Sequence, residues 1–324
     1  MAHSILRYRD ENGTHWGLLR EGRVHALAIP CTTTGELVGR GRDAIRALVR
    51  EAEASPSRAL DGVELLSPIT EGARVLCQGA NYRQHMIESG VDPDAKSFNM
   101  FFTKSSASLH APVGAILRPP HVRLLDYEIE LALVLGARTR SAVDVGPDDL
   151  ATYVAGVCIA NDVSARDVQI PQMQFHKGKS YRTFCPMGPV LALLEEDEMH
   201  QLDEMLLTLT VNGERRQHDH TGNLVFKPAE TLSEYSHVSD FDPGDVILTG
   251  TPAGCALRIP SPVAVRVAAL LPEKTKWKAF LAAQAKRKEY LSPGDVVESR
   301  ITSRDGRIDL GRQVHVVRDA EKTP

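Results

Sequence analysis

Cysteine is scarce and unpatterned in this 324-residue chain: Cys31, Cys77, Cys158, Cys185 and Cys255 are five in number, widely scattered, and form no C-x-x-C pair. A disulfide framework and a zinc knuckle are thereby excluded, and the thiols read as small core residues in a reducing cytosol. An excess of either charge is also lacking. A formal net charge of -4 gives no electrostatic reason to expect nucleic acid or an anionic membrane as partner. Long apolar runs are missing: Met1 to Asp10 has no h-region, and the greasy stretch Pro262 to Leu271 is short and holds Arg266. Neither export nor a membrane span is expected, and a cytoplasmic location is the expectation. What remains is an ordinary globular composition, 42% hydrophobic and 25% charged, long enough for one large core or two domains. Small molecules are the expected partners.

The first seventy residues alternate strand-like pieces (Ser4 to Tyr8, Trp16 to Arg20, Arg23 to Ala28) with a helical piece around Thr34 to Ala54 that ends in Ser-Pro-Ser. This reads as a small α+β domain over 1–70. From Arg74 onward short apolar strands are separated by Gly, Pro and Asp turns, so a mostly-β domain with some α is expected over 71–324. Two near-copies of one device, Asp242-Pro243-Gly244-Asp245 and Ser292-Pro293-Gly294-Asp295, precede β-branched runs and read as structural punctuation. Between them, Pro272 to Leu291 carries Trp277, Phe280, Leu281 and Gln284 at helical spacing, a helical insertion among strands.

Five segments carry chemistry. In Leu125 to Gly136, Asp126, Glu128 and Glu130 alternate with apolar residues, which on a half-buried strand puts all three carboxylates on one face. An acidic row beside a core suits a hard cation; a solvated edge strand is the plainer alternative. Asp162, where the apolar strand Val154 to Ala160 runs out, reads as a third metal ligand or as a turn residue. His85 and Glu88 are three apart, so on a helix they share a face and could form a base with its orienting carboxylate, or merely a surface pair. Lys179 lies in a loop rich in glycine and proline, placed to bind a carboxylate or stabilise an enolate if it is not simply solvated. Thr249-Gly250-Thr251-Pro252 breaks a strand into a turn whose amides and hydroxyls could hold an oxyanion or carboxylate, an ordinary strand-ending turn being the alternative. It is no P-loop, since no Gly-Lys-Ser/Thr follows.

In this order the five segments resemble the fumarylacetoacetate hydrolase family, from about Leu66 to Ile301. The resemblance implies a mixed β-roll catalytic domain, usually a homodimer, with one Mg2+ or Mn2+ per subunit on Glu128, Glu130 and Asp162. It further implies that Gln169, Lys179, Gly250 and Thr251 contact a 2-oxo acid and that His85 and Glu88, on a mobile lid, activate water. The activity expected first is metal-dependent cleavage of a carbon-carbon bond in a 2,4-dioxo acid, as in aromatic catabolism. Decarboxylation of oxaloacetate, isomerisation or hydration of unsaturated 2-oxo acids, and a non-catalytic metal-braced protein stand as alternatives. Three departures mark the chain: Arg182 stands where many relatives carry an acid, either meeting a second substrate carboxylate or solvated; Gly222-Asn223 replaces the usual Ser-Asp around Thr221 to Phe226; and Cys255 to Leu291 is longer than the usual link.

Overall fold

The computed structural model describes residues 2–88, 90, 92–259, 266 and 270–321; most of Pro262 to Leu271 lies outside the described residues. Strand exceeds helix, 35% against 26%, in keeping with the mostly-β expectation.

The strands form two large sheets. The first has eleven strands, in the order Ser57–Ala59, Arg23–Ala26, Gly13–Arg20, His3–Asp10, Val190–Leu193, Val154–Asn161, Ile129–Leu135, Val246–Leu248, Val75–Gly79 and Met100–Lys104, with Glu64–Leu66 also pairing His3–Asp10. The second runs Glu214–His220, Met205–Val211, Val296–Ser303, Asp309–Asp319, Val113–Arg118. The leading segment thus extends the same sheet that holds the acidic strand. Its helical piece is two helices, Thr34–Val38 and Arg42–Glu53, because the chain turns at Gly39 to Gly41. Ile45, Val49 and Ala52 form the buried stripe of the second helix.

Ile129–Leu135 explains the arrangement. Every residue of it is buried, so it is not the half-buried strand that the alternation suggests. Ile129, Leu131, Leu133 and Leu135 join Leu207, Leu209, Val297 and Ile301 of the second sheet in one core. Ala132 and Val134 join Trp16, Ile45 and Val49 in another, beneath the leading helices. A strand covered on both faces reads as a continuous apolar run, which is the composition of Leu131 to Leu135. The two Pro-Gly devices are turns closed identically: the amides of Asp242 and Ser292 each donate, at 2.7 Å, to the aspartate three residues on, Asp245 and Asp295. Among the described residues no helix is long and apolar enough to cross a membrane.

Candidate metal centre and active site

The acidic strand ends at the centre of the molecule. Pairing breaks at Tyr127 and Glu128, between Leu125–Asp126 and Ile129–Leu135, so the three acids do not form one row. Glu128 and Glu130 converge with Asp162, which follows the neighbouring Val154–Asn161 strand; oxygens of the three lie within 4.8 Å of one another, all buried. Asp126 departs from the set. Its carboxylate accepts the amides of Ala256 at 2.8 Å and Leu257 at 3.0 Å and pairs with Arg166 at 2.9 Å.

Three buried cations face this trio. Lys179 donates to Glu128 at 2.7 Å and Asp162 at 2.5 Å; Lys104 donates to Asp162 at 2.5 Å and to the Lys179 carbonyl; Arg166 donates to Glu128 at 2.5 Å. The consequences for ionisation differ from one acid to the next. Burial opposes the Glu128 charge, but Lys179 and Arg166 outweigh it and hold the carboxyl down to about 2. Glu130 receives no cation among the described residues. Its recorded partner is the Gly250 amide at 2.8 Å, and burial together with the Asp162 and Glu128 charges raises its pKa well above the carboxylate range. Its charge is thus disfavoured by burial and by the two carboxylates it faces, and a cation among the three would favour the ionised form. Three buried carboxyl groups within reach of one another make a donor set that fits a hard divalent cation.

Lys179 is neither in a loop nor solvated. It ends the Phe175–Lys179 helix and is 2% exposed, and the Asp162 and Glu128 charges raise its pKa despite burial. Gln169 is buried with its carbonyl oxygen on Arg166 at 2.8 Å. The Thr-Gly-Thr turn is committed inward: Thr249 and Thr251 hydroxyls donate to the Leu131 and Ile129 carbonyls at 3.0 and 2.9 Å, and the Gly250 amide to Glu130. Gly250 has φ +93, and a Cβ there would lie 2.9 Å from that of Asn81, so only glycine brings this amide onto Glu130. Through these bonds the turn braces the acidic strand.

His85 and Glu88 do share the Arg83–Glu88 helix. His85 is half-buried, and desolvation lowers its pKa against the opposing Glu128 charge. Glu88 places its carboxylate on the Arg258 guanidinium, and no hydrogen bond joins it to His85 among the described residues. Arg182 is exposed.

Residues 74–318 match the family model described as the fumarylacetoacetate (FAA) hydrolase C-terminal region. The chain belongs to the fumarylacetoacetate hydrolase family. Within it, the chain is 34% identical over 238 residues to the Rattus norvegicus protein named oxaloacetate tautomerase Fahd2a, mitochondrial, covering 73% of this chain and 74% of that relative. The solved fumarylacetoacetate hydrolase from psychrophilic Exiguobacterium antarcticum matches with TM-score 0.72 at 29% identity, over 98% of this chain and all 100% of that one. A probable 2-hydroxyhepta-2,4-diene-1,7-dioate isomerase from Mycobacterium abscessus matches with TM-score 0.73 at 29% identity, over 99% and 100%. Members of this family are enzymes, and these three are named for different reactions.

Several site residues escaped the sequence reading. Lys104 sits in Phe101-Phe102-Thr103-Lys104, an apolar strand in which a lone lysine is itself a signal. Arg166 follows Asp162 by one helical turn's worth of residues in Asn161 to Asp167. Arg258 had no local signal, and Gln284 was read only as part of a helical period: their contacts join the 256–258 loop, the Arg83–Glu88 helix and the Glu273–Gln284 helix.

Proposed function

We propose that this protein is a divalent-metal-dependent enzyme that enolises a 2-oxo dicarboxylate of the oxaloacetate type, interconverting its keto and enol forms. The observation that carries this reading is the placement of Glu88 on Arg258. His85 lacks the carboxylate hydrogen bond that would equip it to activate water, yet burial favours its neutral form, which is the form able to take a proton. The name of the rat relative supports the same reaction class.

Glu128, Glu130 and Asp162 would hold Mg2+ or Mn2+, which supplies Lewis acidity toward the vicinal carboxylate and oxo oxygens of the substrate. The remaining work belongs to side chains. His85 takes the proton from C3; that C–H electron pair becomes the C2=C3 bond, and the carbonyl pair moves onto O2, which gains a proton from solvent as His85 releases to solvent the one it accepted, so that no net proton is gained or lost. Lys179 and Arg166 stabilise the negative charge that develops on O2. Gln169 fixes the Arg166 plane through the 2.8 Å bond to its Nη1. No bond between carbons breaks, so no water needs positioning.

Cleavage of an acylpyruvate or fumarylpyruvate-like compound is the second reading. It is favoured by the shared helix face of His85 and Glu88 and by the Glu88 charge, which acts to raise the His85 pKa. The two readings separate on Glu88→Gln. Enolisation, followed by the ultraviolet absorbance of enol-oxaloacetate, should persist within about threefold, whereas hydrolysis should fall by at least about a hundredfold. His85→Ala should abolish either activity while leaving metal binding intact; full activity in that variant sinks the proton-carrier role. A homodimer is part of this proposal and is checked by sedimentation equilibrium.

A further inference from the structure

We infer that Arg258 receives a distal carboxylate of the substrate on the guanidinium nitrogens that Glu88 leaves open, keeping Glu88 in place, and thereby selects 2-oxo dicarboxylates over 2-oxo monocarboxylates. The inference rests on the 2-oxo acid reading above and adds the residue that sets specificity.

The other cations of the site are spent. Lys104, Lys179 and Arg166 are each nearly fully buried and each compensates one or two buried carboxylates. Those pairs hold Lys179 and Arg166 at the reacting end of the substrate, and turning any of the three away toward a distal carboxylate would strand a buried charge, which is costly. Arg258 is different. Among the described residues its guanidinium pairs only with Glu88, and the two side chains are 42% and 28% exposed. Ion pairs of that kind contribute little net stability, so the guanidinium can adjust to take a second carboxylate at small cost.

Its base is fixed while its tip can adjust. Gln284, 4% exposed, grips the Arg258 backbone on both sides: its amide donates to the carbonyl at 2.7 Å and its oxygen accepts the Arg258 N–H at 3.4 Å. The Tyr290 hydroxyl holds the same Gln284 oxygen at 2.8 Å, and Arg287 donates to the Ala256 carbonyl at 2.9 Å. The loop is also tied to the site floor, because the Ala256 and Leu257 amides bind the Asp126 carboxylate that carries Arg166. Arg258 thus stands between the helix bearing His85 and the cluster bearing the trio. Glu88 meets Arg258 through Nη1 alone among the described residues, which leaves the rest of the planar fork for a second carboxylate. Arg182, the earlier candidate for a second carboxylate, is solvated.

Equilibrium dialysis of the Mg2+-loaded full chain against oxaloacetate and against its 4-amide, which differs in lacking the distal charge, tests the inference. The wild type should bind the diacid about tenfold more tightly than the amide. Arg258→Met should erase that preference while leaving amide affinity within about twofold, and Arg258→Lys should keep part of it. Glu88→Gln should retain or tighten diacid binding, since the neighbouring negative charge is gone. No preference in the wild type overturns the inference, as does an equal loss of both ligands in Arg258→Met, which would show a purely structural pair. Turnover is read separately: preferential diacid binding without interconversion would defeat the enolisation reading and leave Arg258's role standing.

Discussion

Glu130 is the residue on which the centre turns. Of the three clustered acids it alone has no ion-pair partner among the described residues, and burial with two neighbouring carboxylates works against its charge. Glu130→Gln should therefore weaken Mn2+ binding by at least about tenfold in calorimetry, without lowering the melting temperature of the chelated protein. The amide oxygen can still accept the Gly250 N–H. A lower melting temperature in the metal-free variant would show that the charge is needed for folding and not for the ion. How far residues were legible follows the same logic. Glu128, Glu130 and Asp162 stood out because acids inside apolar runs demand a compensating charge. Lys104 and Arg166, which supply part of it, sit on other strands and helices, and only the fold shows what they face.

At the scale of elements, the Glu273–Gln284 helix buries only Gln284, so polar contacts and not a greasy face connect its C-terminal end to the site. Gln284→Leu leaves the Arg258 carbonyl and the Tyr290 hydroxyl without their partner. The variant should lose about 1–3 kcal/mol in urea unfolding, and amide exchange at 256–258 should quicken. An unchanged midpoint with unchanged exchange would refute the anchoring role. The helix itself was readable from its spacing, as were the leading strands. The Thr34 to Ala54 piece was not read as two helices, because a Gly-rich break inside an apolar period looks like a tolerated interruption. The acidic strand was read as half-buried because three acids at its start imitate the alternation of an edge, whereas the strand proper is apolar on both faces.

For the whole molecule, binding and protonation should both register in stability. A ligand that binds only the folded chain at a hundred times its Kd adds about 2.7 kcal/mol, so chelation should lower the melting temperature measurably. Acid should act through His315, whose burial depresses its pKa to about 4 while its ring lies beside His110 at 5.8 Å. The unfolded chain takes up that proton near pH 6.5 and the folded one only near 4. Stability from this group is thus complete above about 6.5 and declines as pH falls toward 4, by up to about 3 kcal/mol. His315→Gln should flatten that part of the profile, and an unaltered slope would assign acid sensitivity elsewhere. The second sheet carries one more consequence. Asp309–Asp319 inserts between Val296–Ser303 and Val113–Arg118, pairing the latter in parallel, with Arg118 and Asp319 separated by 201 residues. On the ribosome, Val113–Arg118 must therefore wait, unpaired on that side, through most of synthesis. Its partner arrives so late that this edge is the place where a nascent chain of this protein most needs a chaperone.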